Sequence, residues 1–282
     1  MSDKKRKLIL SIVPTLLVFA VFWAGVYFFY AKGEHEFMLP KEAIERTKVK
    51  VAVTAGPHAI IMDKVKRLAY IEGVLVEVIE FNDFVTPNRA LADGDVDANS
   101  MQHMPYLDEQ IKARGYDFKV LGKTVLMPLG VYSKHHKSLA EIPQGAKISI
   151  PNDPTNGGRS LLLLAKLDLI KLKNDVDNPS VLDIVENKKN LQIIEIEAPQ
   201  LPRSLEDVAA AVINTDWVVL ADIDPKSAIA MEDKDSPYVN VIVVKSGKES
   251  DEKLQTLMKI YQSYEIKEFI KDKFKGAIIP GW

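Results

Sequence analysis

The 282-residue chain contains no cysteine. That excludes disulfides, cysteine-based zinc sites, thiol catalysis and an amino-terminal cysteine for lipid attachment. Strong charge of either sign is also missing, since the formal net charge is −2. The first seven residues carry +3, from Lys4, Lys5, Arg6 and Lys7 against Asp3, so the remainder stands at −5. No basic stripe for nucleic acid is left there. The common enzyme signatures are absent as well: no G-x-S-x-G elbow, H-E-x-x-H pair, Walker A loop or G-x-G-x-x-G turn. What is present is an ordinary globular composition, 47% apolar and 27% charged, at a length sufficient for two small lobes and an anchor.

The amino-terminal segment is unlike the rest. Leu8 to Tyr30 carries no charge, and as a helix it would extend roughly 34 Å, enough to cross a hydrocarbon core of about 30 Å. The basic cluster of residues 1–7 belongs in the cytoplasm by the positive-inside rule, and Trp23, Tyr27 and Tyr30 fall at the opposite interface. Everything beyond Lys32 is then expected outside the cytoplasm. A cleavable signal peptide is the competing reading. Cleavage after Ala31 would place the bulky Phe29 at −3, where small residues are favoured. An uncleaved anchor is the better fit.

Residues 31–47 read as a polar spacer, and strands then alternate with helices. Lys48 to Val53 alternates with period two, as a strand does. A helix is expected over His58–Tyr70, a strand over Val74–Phe81, and helices over Pro87–Asp93 and Met104–Arg114, the last closed by Gly115. Val120 to Ser133 reads as one strand crossing between lobes, interrupted at Pro128. Ser138 to Glu141 has a capping-box pattern, and Lys147–Ile150 reads as a strand. Asp153-Pro154 starts a helix, with aspartate at the cap and proline in the first turn. Leu191–Ala198 reads as a strand, Ser204–Asp207 as another cap, Val218–Ala221 and Tyr238–Val244 as strands, and Asp251–Lys273 as one amphipathic helix. The expected class is α/β: two lobes with mixed, mainly parallel sheets flanked by helices. The expected boundaries are 48–131 and 242–282 for the first lobe and 132–241 for the second.

Candidate chemistry is of the binding kind. Asp93 to Asn99 imitates a calcium loop, but Ala98 replaces the required glycine and Met104 the bidentate glutamate. The five histidines (His35, His58, His103, His135 and His136) show no metal-ligand spacing, so no metal and no cofactor is expected. Asn156 and Arg159 share a face in the first turns of the helix after Asp153. There a helix N-terminus and a guanidinium fork suit a carboxylate. Gly157 and Gly158 would admit a ligand or the opposite lobe. Pairing of Arg159 with a nearby surface aspartate is the equal alternative. Asn88, Asn214 and Asn240 sit where loops are expected, and each could be a locally satisfied turn residue. Phe81–Phe84 and Met101–Tyr106 could line an apolar slot suited to a thioether, or simply pack in the core.

Several ordered motifs resemble the MetQ/NlpA-type methionine-binding lipoproteins of bacterial ABC importers. They are FNDFVTPNRAL (81–91), GDVDANSMQHMPYLDEQIKARGY (94–116), SIPNDPTNGGRSLLLL (149–164), EAPQLPRSLEDV (197–208), AVINT (211–215), DSPYVN (235–240) and the terminal GW. The resemblance runs from about Val49 to Trp282. It implies a two-lobed periplasmic-binding-protein fold that closes on its ligand, and a monomer that binds rather than catalyses. Arg159 would clamp the ligand carboxylate, while Asn156, Asn214 and Asn240 would contact its backbone. Phe84, Met101, His103 and Tyr106 would line the side-chain pocket, with Asn88 as support. The implied partners are methionine or a similar small amino acid, and ABC permease and ATPase subunits. Another small apolar amino acid, a methionyl dipeptide, or a membrane-anchored sensor without a transport role are the alternatives. This chain departs from the family at Phe84, commonly tyrosine, at Met101, commonly phenylalanine, and in lacking the lipobox cysteine.

Overall fold

The computed structural model describes residues 47–233 and 235–282. The expected anchor at Leu8 to Tyr30, the basic segment before it, His35 and nearly all of the spacer lie outside the described residues. Among the described residues, no helix is long and apolar enough to cross a membrane.

The first half of the fold is built by strand–helix alternation. Its elements are β1 (Thr47–Thr54), α1 (Pro57–Ile71), β2 (Val74–Phe81), α2 (Thr86–Asp93), β3 (Ala98–His103), α3 (Met104–Arg114) and β4 (Phe118–Leu126). The chain continues with β5 (Gly130–Tyr132), β6 (Lys147–Pro151), α4 (Pro154–Lys166), a small hairpin of β7 (Lys171–Leu172) and β8 (Ile184–Glu186), and β9 (Gln192–Ile196). Then follow α5 (Leu201–Ser204), β10 (Ala210–Ile213), α6 (Thr215–Leu220), β11 (Ala230–Met231), β12 (Val239–Lys245), α7 (Glu252–Tyr261), α8 (Tyr264–Phe274) and β13 (Ile279–Pro280).

Two large sheets result, and each with its helices forms a lobe. The first has the order β13-β4-β12-β3-β1-β2, the second β11-β5-β10-β6-β9. In the first, β2, β1, β3 and β4 run one way, while β12 lies antiparallel between β3 and β4. In the second, β9, β6 and β10 are parallel and β5 is reversed. Each sheet is covered on both faces by apolar clusters. This is why β1, which begins as an alternating strand, is buried at every residue from Val51 to Thr54. The chain changes sheet between Leu126 and Gly130 and again between Met231 and Val239.

Four elements differ from expectation, each for a local reason. The run Val120–Ser133 is two strands in different sheets, divided around Pro128, rather than one crossing strand. Val218–Ala221 lies in helix α6 and the turn after it, because Trp217 and Val218 pack into the second lobe's core while Leu220 faces water. So short an apolar run has no period from which to tell the two forms apart. Ser204 ends α5 instead of opening a helix, and its hydroxyl donates back to the Leu201 carbonyl at 2.7 Å. The single C-terminal helix is divided at Ser263, whose hydroxyl accepts the Ile266 N–H at 3.3 Å and so starts α8.

Candidate functional site

The site forms where the carboxyl end of β3, the start of β12 and the amino-terminal turns of α4 and α6 converge. Asn240 sits opposite His103 in the β12–β3 register. A narrow cleft of about 20 Å³ lies here, lined by Phe84, Met101, Gln102, His103, Tyr106, Met127, Asn156, Arg159, Asn214, Asp216 and Asn240. Eight of the nine residues singled out from sequence are among them. Asn88, the ninth, stands behind the wall. It exchanges hydrogen bonds with Gln102 at 2.7 and 2.9 Å and accepts one from Asn99 at 2.8 Å, which fixes Gln102 in place.

Local chemistry sets α4. The Asp153 carboxylate accepts the Asn156 N–H at 2.9 Å, as the cap pattern predicts. It also takes the Asn156 side-chain amide, at 3.0 Å to either oxygen. This has two consequences. The helix end that could face an anion is capped by the chain's own carboxylate. The Asn156 side chain is committed too, since its Oδ1 accepts from Asn214 Nδ2 at 2.8 Å and faces His103 Nε2 at 3.3 Å. Asn156 therefore holds two other site residues in position. The glycines after it serve the second lobe rather than a ligand or the opposite lobe. A Cβ on Gly157 would lie 2.9 Å from the Pro151 carbonyl, and one on Gly158 would lie 2.2 Å from Asn178 Oδ1.

Arg159 is 3% exposed, which rules out a surface pair. Its partner is Glu232, 73 positions away: Nε donates to Oε1 at 3.0 Å, and Nη2 donates both to Oε2 and to the Met127 carbonyl, the latter at 3.0 Å. Tyr238 stacks over the guanidinium at 4.1 Å and meets the His103 ring edge-on at 5.0 Å. The expected two-pronged fork is thus spent on Glu232, and Nη1 is the nitrogen left for another acceptor.

The opposite wall is apolar and aromatic. Phe84 packs against Trp217 at 5.1 Å and Tyr106 at 6.3 Å, and the Tyr106 hydroxyl donates to the Phe84 carbonyl at 3.0 Å. Met101 and Met127 complete it, each almost fully buried. Burial first, then the positive Arg159, lowers His103 to about 3. It is a neutral ring whose Nδ1 accepts the Tyr106 N–H at 3.1 Å, leaving the proton on Nε2. Burial raises Asp216 to about 7. Among the described residues, Asn214 Oδ1 and Asp216 Oδ1 are buried acceptors without a hydrogen-bond donor. No group of His, Asp or Glu there is arranged to hold a metal.

Sequence reasoning missed Gln102, Met127 and Asp216 in the lining, and Glu232 and Tyr238 behind Arg159. Asp216 directly follows the AVINT motif and Tyr238 lies inside DSPYVN, so proximity to quoted motifs could have flagged both. Glu232 carried no signal.

A family model described as NlpA lipoprotein matches residues 49–282. The D-methionine-binding lipoprotein MetQ of Escherichia coli K12 is 48% identical over 239 residues, covering 83% of this chain and 88% of that one. A nutrient-binding protein from Burkholderia cenocepacia, solved bound to methionine, is 50% identical with a TM-score of 0.81, covering 83% of this chain and all of its own. A periplasmic substrate-binding protein of an ABC transporter from Coxiella burnetii is 42% identical with a TM-score of 0.80, over the same shares. The family match over residues 49–282 and the identity to MetQ agree: the chain belongs to the NlpA lipoprotein family.

Proposed function

We propose that this protein is the extracytoplasmic solute-binding component of an ABC importer and that it captures methionine between its lobes. One observation carries the reading. A buried guanidinium and a buried acceptor without a donor, Asn214 Oδ1, line the same cleft. A zwitterion matches that layout, its carboxylate toward Arg159 Nη1 and its ammonium toward Asn214 Oδ1. The slot of Phe84, Met101, Tyr106 and Met127 suits a thioether, because sulfur packs favourably against ring edges. Its sheet memberships support a hinge through residues 127–129 and 232–238, across which the lobes close. The similar proteins named for methionine support the same ligand.

Calorimetric titration of the full chain with L- and D-methionine should give saturable binding, micromolar or tighter. Mass spectrometry of ligand released by denaturing the purified protein should find the same amino acid. No heat and no thermal shift with either enantiomer or with methionyl dipeptides would defeat the proposal.

The attachment reading rests on charge-free length. We infer that Leu8 to Tyr30 spans the membrane once with its amino terminus in the cytoplasm, taking the place of a lipid anchor. Protein from the membrane fraction should retain residues 1–30 when its amino terminus is sequenced. Recovery in soluble form with a new terminus near Lys32 would refute it.

A further inference from the structure

His58 is the buried titratable group that the site does not use. It stands in the first turn of α1, in the first lobe, and is 1% exposed. Its ring faces the second lobe, where Nε2 lies 3.5 Å from Oδ1 of Asp216 on α6. Neither ring nitrogen has a hydrogen-bond partner among the described residues, and neither does that carboxylate oxygen. The approach is enforced by the backbone. Gly56 has φ +93°, and a Cβ there would lie 3.1 Å from the Asp216 carbonyl. Asp216 also lines the cleft, so the contact joins ligand, second lobe and first lobe in one line.

We propose that His58 is a positioning residue that shares one proton with Asp216 across the lobe interface, so that closure over ligand neither takes a proton from solvent for this pair nor releases one. The proposal rests on the solute-binding reading. The surroundings leave the two groups to each other. Asp216 otherwise meets Arg159 from α4, the Thr54 hydroxyl at the end of β1 and its own backbone N–H. His58 is lowered by burial alone, to about 3. Asp63 on its helix is exposed, Lys64 leans over Phe269, and the buried Tyr261 of α7 lies beside Thr124 and Ser100. Arg203, Asp222 and Asp224, near α6, face water.

The proton count follows. With the lobes apart and both groups in water, between about pH 4.5 and 6 the histidine is protonated and the aspartate ionised. With the lobes together, burial reverses both: Asp216 holds its proton up to about 7 and His58 is neutral. One proton is present either way, and it moves from imidazole to carboxyl. His103 behaves differently, since its fall to about 3 means that closure expels a proton. Affinity of the unaltered protein should therefore rise with pH in this window, by at most about tenfold per pH unit.

Methionine titrations of the full chain between about pH 4.5 and 6 test this by slope rather than by level. In His58→Gln, Asp216 must take up a proton on closure, so the slope should fall by about tenfold per pH unit relative to the unaltered protein. In Asp216→Asn, His58 must lose one, so the slope should rise by the same amount. A group that merely packs would change the level and leave the three slopes parallel, which overturns the proposal. Thermal unfolding without ligand provides a second readout, because unfolding also exposes the pair. Stability relative to the unaltered protein should fall with rising pH in His58→Gln and climb in Asp216→Asn. Should the unaltered protein not bind methionine, the ligand reading fails, and the unfolding slopes alone decide the proton-sharing pair.

Discussion

Replacing Arg159 by alanine should weaken methionine binding by about a thousandfold, near 4 kcal/mol, the upper range for truncating one partner of a buried charge pair. Two effects act in the same direction. The ligand carboxylate loses its only buried cation in the cleft lining. The Glu232 carboxylate, which Arg159 neutralises through two hydrogen bonds, is left behind as a buried negative charge close to the incoming one. Stability should fall too, so binding and folding need separating. In the double variant Arg159→Ala/Glu232→Ala the stranded carboxylate is gone. Thermal unfolding of that protein should recover most of the loss while calorimetry still finds no tight binding. Recovery of methionine affinity in the double variant would show that Arg159 serves only to neutralise Glu232.

The second large effect is expected from Glu232 itself. The carboxylate is largely buried, with 14% of its side chain exposed, and it accepts from Arg159 and from the Leu129 N–H at 3.2 Å. Glu232→Ala leaves the guanidinium with the Met127 carbonyl and the face of Tyr238. An unpaired buried cation of this kind costs about 3 kcal/mol, which should appear as a clear drop in Tm. Ligand should repair part of the damage. A methionine carboxylate can take the place of Glu232 beside Arg159, so saturating methionine should raise the Tm of the variant by more than it raises that of the unaltered protein. An equal or smaller ligand-induced shift would mean that Arg159 and the ligand do not meet.

Both expectations concern a site that was partly legible before any coordinates. The start of α4 could be read from Asp153-Pro154 because capping is chemistry between neighbours, and the Asp153–Asn156 bonds bear it out. Eight of the residues that line the cleft were singled out through motif resemblance. Local chemistry alone left Arg159 evenly divided between a ligand and a surface partner. The helical reading of Met104–Arg114 and the strand reading of Val74–Phe81 match residue for residue, since a glycine bounds each, Gly73 before the strand and Gly115 after the helix. The misreadings share one feature. Val218–Ala221, Ser204 and the break at Ser263 are short segments where two local patterns compete, and packing against a distant core decides between them.

The sequence by itself determined the absence of thiol chemistry, the charge-free stretch at the amino terminus, the α/β alternation and the residue types that line the cleft. Each of these depends on residue type or on spacing within a few turns, which folding does not alter. Tertiary structure decided what those residues do. It spent the fork of Arg159 on Glu232 and committed Asn156 to holding Asn214 and His103. It turned Gly157 and Gly158 toward the second lobe's own backbone, and set His58 against Asp216. These pairings join positions far apart in the chain, and their strength comes from burial, which lowers the local dielectric and removes competing water. Burial of that kind exists only once the two lobes are built and brought together.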